Sequence, residues 1–168
     1  MKAKMFRALL PLAIVFTMIS CSSDQSEADS ADNKVVTTYN YNDVELKLVS
    51  LINNYRASHG LTTLEIINHI SYKSEEHNIY MIDNHVVNHD YFQQRVNNLT
   101  QVLDAEKVGE NVAYNYQTAE SCMAAWLNSP SHKENIEGDY THMGISVTVD
   151  QATGKKYYTN IFMKKKRN

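Results

Sequence analysis

A twelve-residue apolar run, residues 8–19, follows Lys2, Lys4 and Arg7, and it decides how much of the chain is left to build a core. A bilayer-spanning helix needs about 20 predominantly apolar residues, so this run is too short to cross a membrane. Its order, basic residues then apolar ones, is that of an export signal, which is set aside before any fold is considered. What remains of the 168 residues is enough for one domain. The chain has two cysteines, Cys21 and Cys122. With Cys21 at the end of the export segment, Cys122 has no partner inside the domain. The fold must therefore be held by its core, although an exported chain would be free to form disulfides.

Met18-Ile19-Ser20-Cys21 resembles the bacterial lipobox, in which small residues precede a cysteine that becomes diacylated; Met18 stands where leucine is commoner. The resemblance implies removal of residues 1–20 and a palmitate-type anchor on Cys21. It also implies residence in the bacterial cell envelope, on the outer membrane, facing the periplasm or the surface. Residues 22–33 are rich in Ser, Asp, Glu and Gln and nearly free of apolar side chains, so the expected organisation is a lipidated, acidic tether over residues 21–41. An acidic stretch in that place also resembles surface-export signals of some Gram-negative lipoproteins. A folded domain over residues 42–163 and a basic tail over 164–168 complete the chain. Cleavage lowers the basic residues from 16 to 13 against 19 acidic ones, a net charge of −6 with histidines neutral. A nucleic-acid partner would need a basic footprint that such a domain lacks.

Asn42 or Asp43 can cap a helix running to about residue 58, where Leu48, Leu51, Ile52 and Tyr55 recur at helical spacing and Gly60 follows as a stop. A second helix is expected from about residue 65 to 84, its apolar stripe interrupted by polar residues at 74–78, where a cavity can form. Residues 85–108 read as a loop with a short helix near 92–102, and residues 109–114 as a strand. Thr118 caps a third helix carrying Cys122, Ala125 and Trp126 on one face. Pro130 is expected to end it, and Ser131 with Glu134 to open a fourth through a capping box. Met143, Ile145, Val147 and Val149, then Tyr157, Thr159, Ile161 and Met163, alternate as the arms of a hairpin. Helices and strands mix without a βαβ rhythm, which favours an α+β or three-layer arrangement.

Six segments in order resemble the CAP superfamily of cysteine-rich secretory proteins, antigen 5, plant pathogenesis-related proteins and bacterial SCP-like relatives. They are Leu51-Ile52-Asn53-Asn54-Tyr55-Arg56 with Gly60-Leu61; His77 to Met81 with Asn88-His89; Gly109-Glu110-Asn111-Val112-Ala113; Trp126 to His132 with Asn135-Ile136; His142-Met143-Gly144-Ile145; and Tyr157 to Phe162. The resemblance implies an α/β/α sandwich with a central, mainly antiparallel sheet and an open cavity. It makes His89 and Glu110 two members of the family's tetrad of two histidines and two glutamates. The tetrad is incomplete by strict position: Tyr157 stands where animal and plant members have the second histidine, and Ser129 where they have the second glutamate. His132 is a candidate to refill the histidine's place and Glu120 the nearest candidate carboxylate, while His142 and Tyr157 are further candidates for the cavity wall.

His89, Glu110 and His132 together form a plausible donor set for a divalent metal such as zinc, one that would leave a position open for water. Without metal the same groups form an acid–base pair. No G-x-S-x-G nucleophile is present, and Cys122 reads as a buried small hydrophobe. Three functions follow as expectations. The first is an envelope module that binds a lipid, glycan, peptide or protein through a polar His/Glu cleft. The second is a metal-dependent hydrolase of peptide or cell-wall material. The third is a structural surface protein whose cleft is vestigial. Fold alone does not choose among them.

Overall fold

Asn42 starts the first helix, and the way it does so ties helix to sheet. Its side chain accepts from the Glu45 amide at 3.0 Å while Glu45 Oε2 accepts from the Asn42 amide at 2.8 Å, a closed capping box. Glu45 Oε1 also accepts the Val147 amide at 2.7 Å, so a helix cap doubles as a clamp on a strand. The computed structural model describes residues 34–166. The export segment, Cys21 and the acidic stretch at 22–33 lie outside the described residues. Within them run α1 (Asp43–Ser58), β1 (Glu65–Ile66), α2 (Asn68–Asp83), α3 (Phe92–Leu103), β2 (Ala105–Tyr114), α4 (Ala119–Asn128), α5 (Pro130–Glu137), β3 (His142–Val149) and β4 (Lys156–Lys165).

The sheet order is β1-β3-β4-β2, with β1 parallel to β3 and the other pairs antiparallel. Side chains alternate across it. One face takes Met143, Ile145, Tyr158 and Phe162 against Leu48 and Ile52 of α1, Cys122 and Trp126 of α4 and Ile136 of α5. The other takes Ile161 and Met163 against Ile70 of α2 and Leu99 of α3, and Val112 and Tyr157 against Met81. The result is the expected three-layer α/β/α sandwich of the α+β class. Strand β2 is an edge, and helix side chains supply it with donors: Trp126 Nε1 gives to the Val112 carbonyl at 3.1 Å and Asn135 Nδ2 to that of Glu110 at 3.2 Å.

Several local expectations are corrected. Residues 36–41 belong to the domain rather than to a free tether. The Val36 amide donates to His69 Nδ1 at 3.1 Å, Asn68 Nδ2 to the Thr37 carbonyl at 2.7 Å, and the Tyr41 hydroxyl to Asn68 Oδ1 at 3.1 Å. Glu65 and Ile66 do not open α2. They pair with His142 and Met143, as suits the β-branched Ile66-Ile67 pair, and the helix starts at Asn68. Pro130 ends α4 as expected, with Ser129 extended before it, but the next helix opens at the proline itself rather than at Ser131. Pro130 is the first residue of α5, its fixed φ suited to that position, and no side-chain cap forms there. Strand β2 begins at Ala105, four residues early, because Asp104 in the left-handed region (φ 58°) turns α3 straight into it. Lys164 and Lys165 extend β4 instead of standing free in a tail.

Gly144 permits a close contact between β3 and α2. A Cβ there would lie 2.2 Å from the Ser71 backbone nitrogen and 2.4 Å from the Ile70 carbonyl carbon. Rigid backbone cannot yield as a flexible side chain does, so Gly144→Ala should lower stability by about 3 kcal/mol or more, at the upper end of overpacking effects. Urea unfolding of wild type and variant measures this.

Candidate functional site

Glu110 sits on β2 in register with Ile161, so its side chain faces α2 and α3. The side chain is 1% exposed. A carboxylate there is tolerated only if paired and hydrogen-bonded. Arg95 supplies most of the answer. It lies on the inward stripe of α3 with Phe92 and Leu99, and its guanidinium grips the carboxylate in a fork, Nε to Oε2 at 2.8 Å and Nη2 to Oε1 at 2.7 Å. Its Nη1 donates to the Asp90 carbonyl at 2.9 Å, fixing the loop that carries the next partner.

That partner is His89, whose Nδ1 lies 2.8 Å from Glu110 Oε1. An ionised carboxylate can only accept, so Nδ1 carries a proton, and in the neutral form of the ring Nε2 is left as an acceptor. The His89 side chain is 49% exposed, the open end of an otherwise buried cluster. His77 approaches from α2, its Nε2 3.8 Å from Oε1 while donating to the Asn88 carbonyl at 2.9 Å. Burial pushes His77 below the usual histidine value and keeps it neutral. For Glu110, burial pushes the carboxyl up, but the hydrogen bonds from His89 and Arg95 and the Arg95 charge outweigh it. The net value falls below the usual glutamate range.

His132 comes from the opposite layer. Its backbone carbonyl accepts Asn111 Nδ2 at 2.9 Å, which seats α5 on β2. Burial, and then the charge that His89 carries when protonated, lower its pKa, which puts the two imidazoles within electrostatic reach of each other. Burial thus favours the neutral imidazole at His132. Among the described residues no further strand pairs with β2 on the side away from β4. With Tyr114, Tyr116, Ala125 and Trp126, His132 lines a groove of about 340 Å³.

The other candidates lie elsewhere. Glu120 is exposed at the start of α4, where it ion-pairs with Lys47 at 3.5 Å; its neighbours are on α1, and it supplies no second carboxylate to Glu110. His142 is on β3, two strands from β2, bonded to Thr141 Oγ1 at 2.7 Å and 3.6 Å from Glu65. Tyr157 is buried against Tyr114, Met81 and Val112, four residues along β4 from the Ile161 that faces Glu110. Cys122 is fully buried, and burial pushes its thiol up, so it is no nucleophile. The sequence reading missed Arg95. The available signal was a charged residue on the apolar stripe Phe92, Arg95, Leu99, which demands a buried counter-charge.

As a metal ligand Glu110 does not fit, because both oxygens already hold Arg95, and a cation there would face a guanidinium. Among the described residues no group of three His, Cys, Asp or Glu side chains stands ready to hold an ion. The carboxylate fits better behind a histidine, holding its tautomer, as such groups do around metal-ligating imidazoles.

Two outcomes follow. Arg95→Ala strands a buried carboxylate and should cost about 3–5 kcal/mol in urea unfolding, whereas the apolar double variant Arg95→Met/Glu110→Leu should cost much less. Glu110 has a lowered folded pKa, so its stabilisation is complete above the ordinary value of about 4.3 and is lost as pH falls through the lower folded value. The stability gap between wild type and Glu110→Gln should therefore narrow on acidification from about pH 6 to about pH 3.

The model of the cysteine-rich secretory protein (CAP) family matches residues 49–162. The uncharacterized membrane protein YlbC of Bacillus subtilis is 32% identical over 127 residues, 72% of this chain and 34% of that protein, so the chain spans about a third of this relative. An outer surface protein of Borrelia burgdorferi superposes with a TM-score of 0.67 at 25% identity, covering 78% of this chain and 100% of that one. An extracellular SCP-domain protein of Bacillus anthracis superposes at 0.63 with 25% identity, over 72% of this chain and 40% of that one. The family model takes in both sides of the site, Glu110 with His89 and His132, and most of the sandwich that holds them: the chain belongs to the cysteine-rich secretory protein family.

Proposed function

We propose that this chain is an envelope-facing binding module whose ligand engages His89 and His132 at the edge of the sheet. The observation that carries the reading is the saturation of Glu110. Its two oxygens are held by Arg95 and His89 at 2.7–2.8 Å, and its side chain is 1% exposed. A carboxylate so engaged orients an imidazole; to act as general acid or base it would first have to leave its partners. The site thus presents an oriented, half-exposed imidazole beside an aromatic groove, with no activated nucleophile among the described residues.

Placement in the envelope draws support from two sides. Relatives include membrane, extracellular and outer-surface proteins. The basic-apolar segment ending at Cys21 supplies a lipid anchor in this reading. No helix among the described residues is long and apolar enough to cross a membrane. Metal-assisted hydrolysis is the second reading. It rests on the Glu110–His89 bond, which leaves Nε2 bare and therefore able to bind a divalent ion together with His132.

Sedimentation of the full chain, in detergent, with isolated cell-wall sacculi tests the two readings together. The binding reading expects co-sedimentation that the His89→Ala/His132→Ala variant loses, and no soluble peptide or sugar released on prolonged incubation. Release of soluble products by wild type, abolished by a chelator and by the variant, would establish the hydrolase instead. Absence of co-sedimentation by folded wild type would overturn the binding of wall material.

A further inference from the structure

A separate cavity opens on the α2–α3 side of the domain, about 230 Å³ in volume. Sites for drug-sized ligands run to roughly 300–1,000 Å³, so this one has room for a single small ring. Tyr80, Tyr91, Lys73, Glu76 and Gln94 line it, together with the buried Arg95 and His77.

Its aromatic wall is held in place. The Tyr80 hydroxyl donates to Asp90 Oδ2 at 2.8 Å, and its ring stacks on His77 with centroids 5.8 Å apart. Tyr91 meets Tyr80 edge-on at 5.1 Å. Tyr91 has φ 59°, the left-handed region that non-glycine residues rarely adopt, and yet is 56% exposed. A bulky aromatic kept in a costly backbone conformation and left open to solvent is a feature that clusters at ligand clamps.

The charges around the cavity are already matched. Lys73 Nζ lies 3.0 Å from Glu76 Oε2, and Arg95 is committed to Glu110. A charged ligand would compete with one of these pairs. A wholly apolar ligand would strip water from the Glu76 and Gln94 heads without replacing their hydrogen bonds. A pyranose meets both demands. Its C–H face packs on a tyrosine ring, while its hydroxyl rim donates to the carboxylate and accepts from the ammonium and the amide. We propose that this cavity binds one neutral pyranose ring, the terminal residue of a glycan. It is distinct from the His132 groove, so this inference and the cleft reading can fail separately.

Saturation-transfer NMR on the full chain in detergent tests it, with methyl β-glucopyranoside and the methyl glycoside of N-acetylglucosamine as probes. The expected result is saturation of ring C–H protons of at least one probe. Binding should weaken at least tenfold in Tyr91→Ala, persist in Tyr91→Phe, which keeps the ring, and remain unchanged in His132→Ala. No saturation of either probe by folded wild type would overturn the proposal. So would undiminished binding in Tyr91→Ala, or a loss in His132→Ala with Tyr91→Ala unaffected, which would put the sugar in the other groove.

Discussion

The pairing of Glu110 with Arg95 inside the sandwich is the constraint on which the site depends. A buried carboxylate without partners is untenable, and Arg95 meets the demand from a neighbouring helix with two parallel hydrogen bonds at 2.7 and 2.8 Å. The same guanidinium holds the Asp90 carbonyl, which places His89 against the carboxylate. One ion pair thus joins β2, α3 and the loop after α2. The pair is not an obvious source of net stability, since an apolar replacement can match such pairs. What it supplies is a fixed direction for His89.

Edge position does the rest. Because β2 has only β4 beside it among the described residues, a side chain from the α2–α3 layer and one from α5 can both reach its open edge. The donors from Trp126 and Asn135 that cap β2 carbonyls keep that edge from serving as a template for another strand, and Asn111 Nδ2 fixes the α5 turn that carries His132. The cleft is therefore assembled from both outer layers of the sandwich while the sheet stays closed to further pairing.

Much of this was legible in the sequence, for physical reasons. Alternation in β3 and β4 and the caps at Asn42 and Thr118 are local signals, and the structure keeps them. His89 and Glu110 were both visible through the order of motifs. What failed were features set by tertiary partners. Glu65 and Ile66 read as helix because their partners His142 and Met143 on β3 are far along the chain and leave no local trace. Residues 36–41 read as tether because their binding depends on Asn68 and His69. Arg95 was overlooked because a lone charge on an amphipathic helix usually faces solvent, and only Glu110 explains its burial. Glu120 was the nearest candidate for the carboxylate missing at Ser129, yet its helix turns it outward to Lys47.

Glu110 acts as an ionised clamp that sets the tautomer of His89. Nitrogen-15 NMR of the histidine rings in the full chain, at about pH 8 and so above the ordinary histidine pKa, reads it directly. His89 should carry its proton on Nδ1 with Nε2 bare, and Glu110→Gln should shift this balance. A His89 ring protonated on Nε2 in wild type, with Nδ1 unprotonated beside Glu110, would contradict the account.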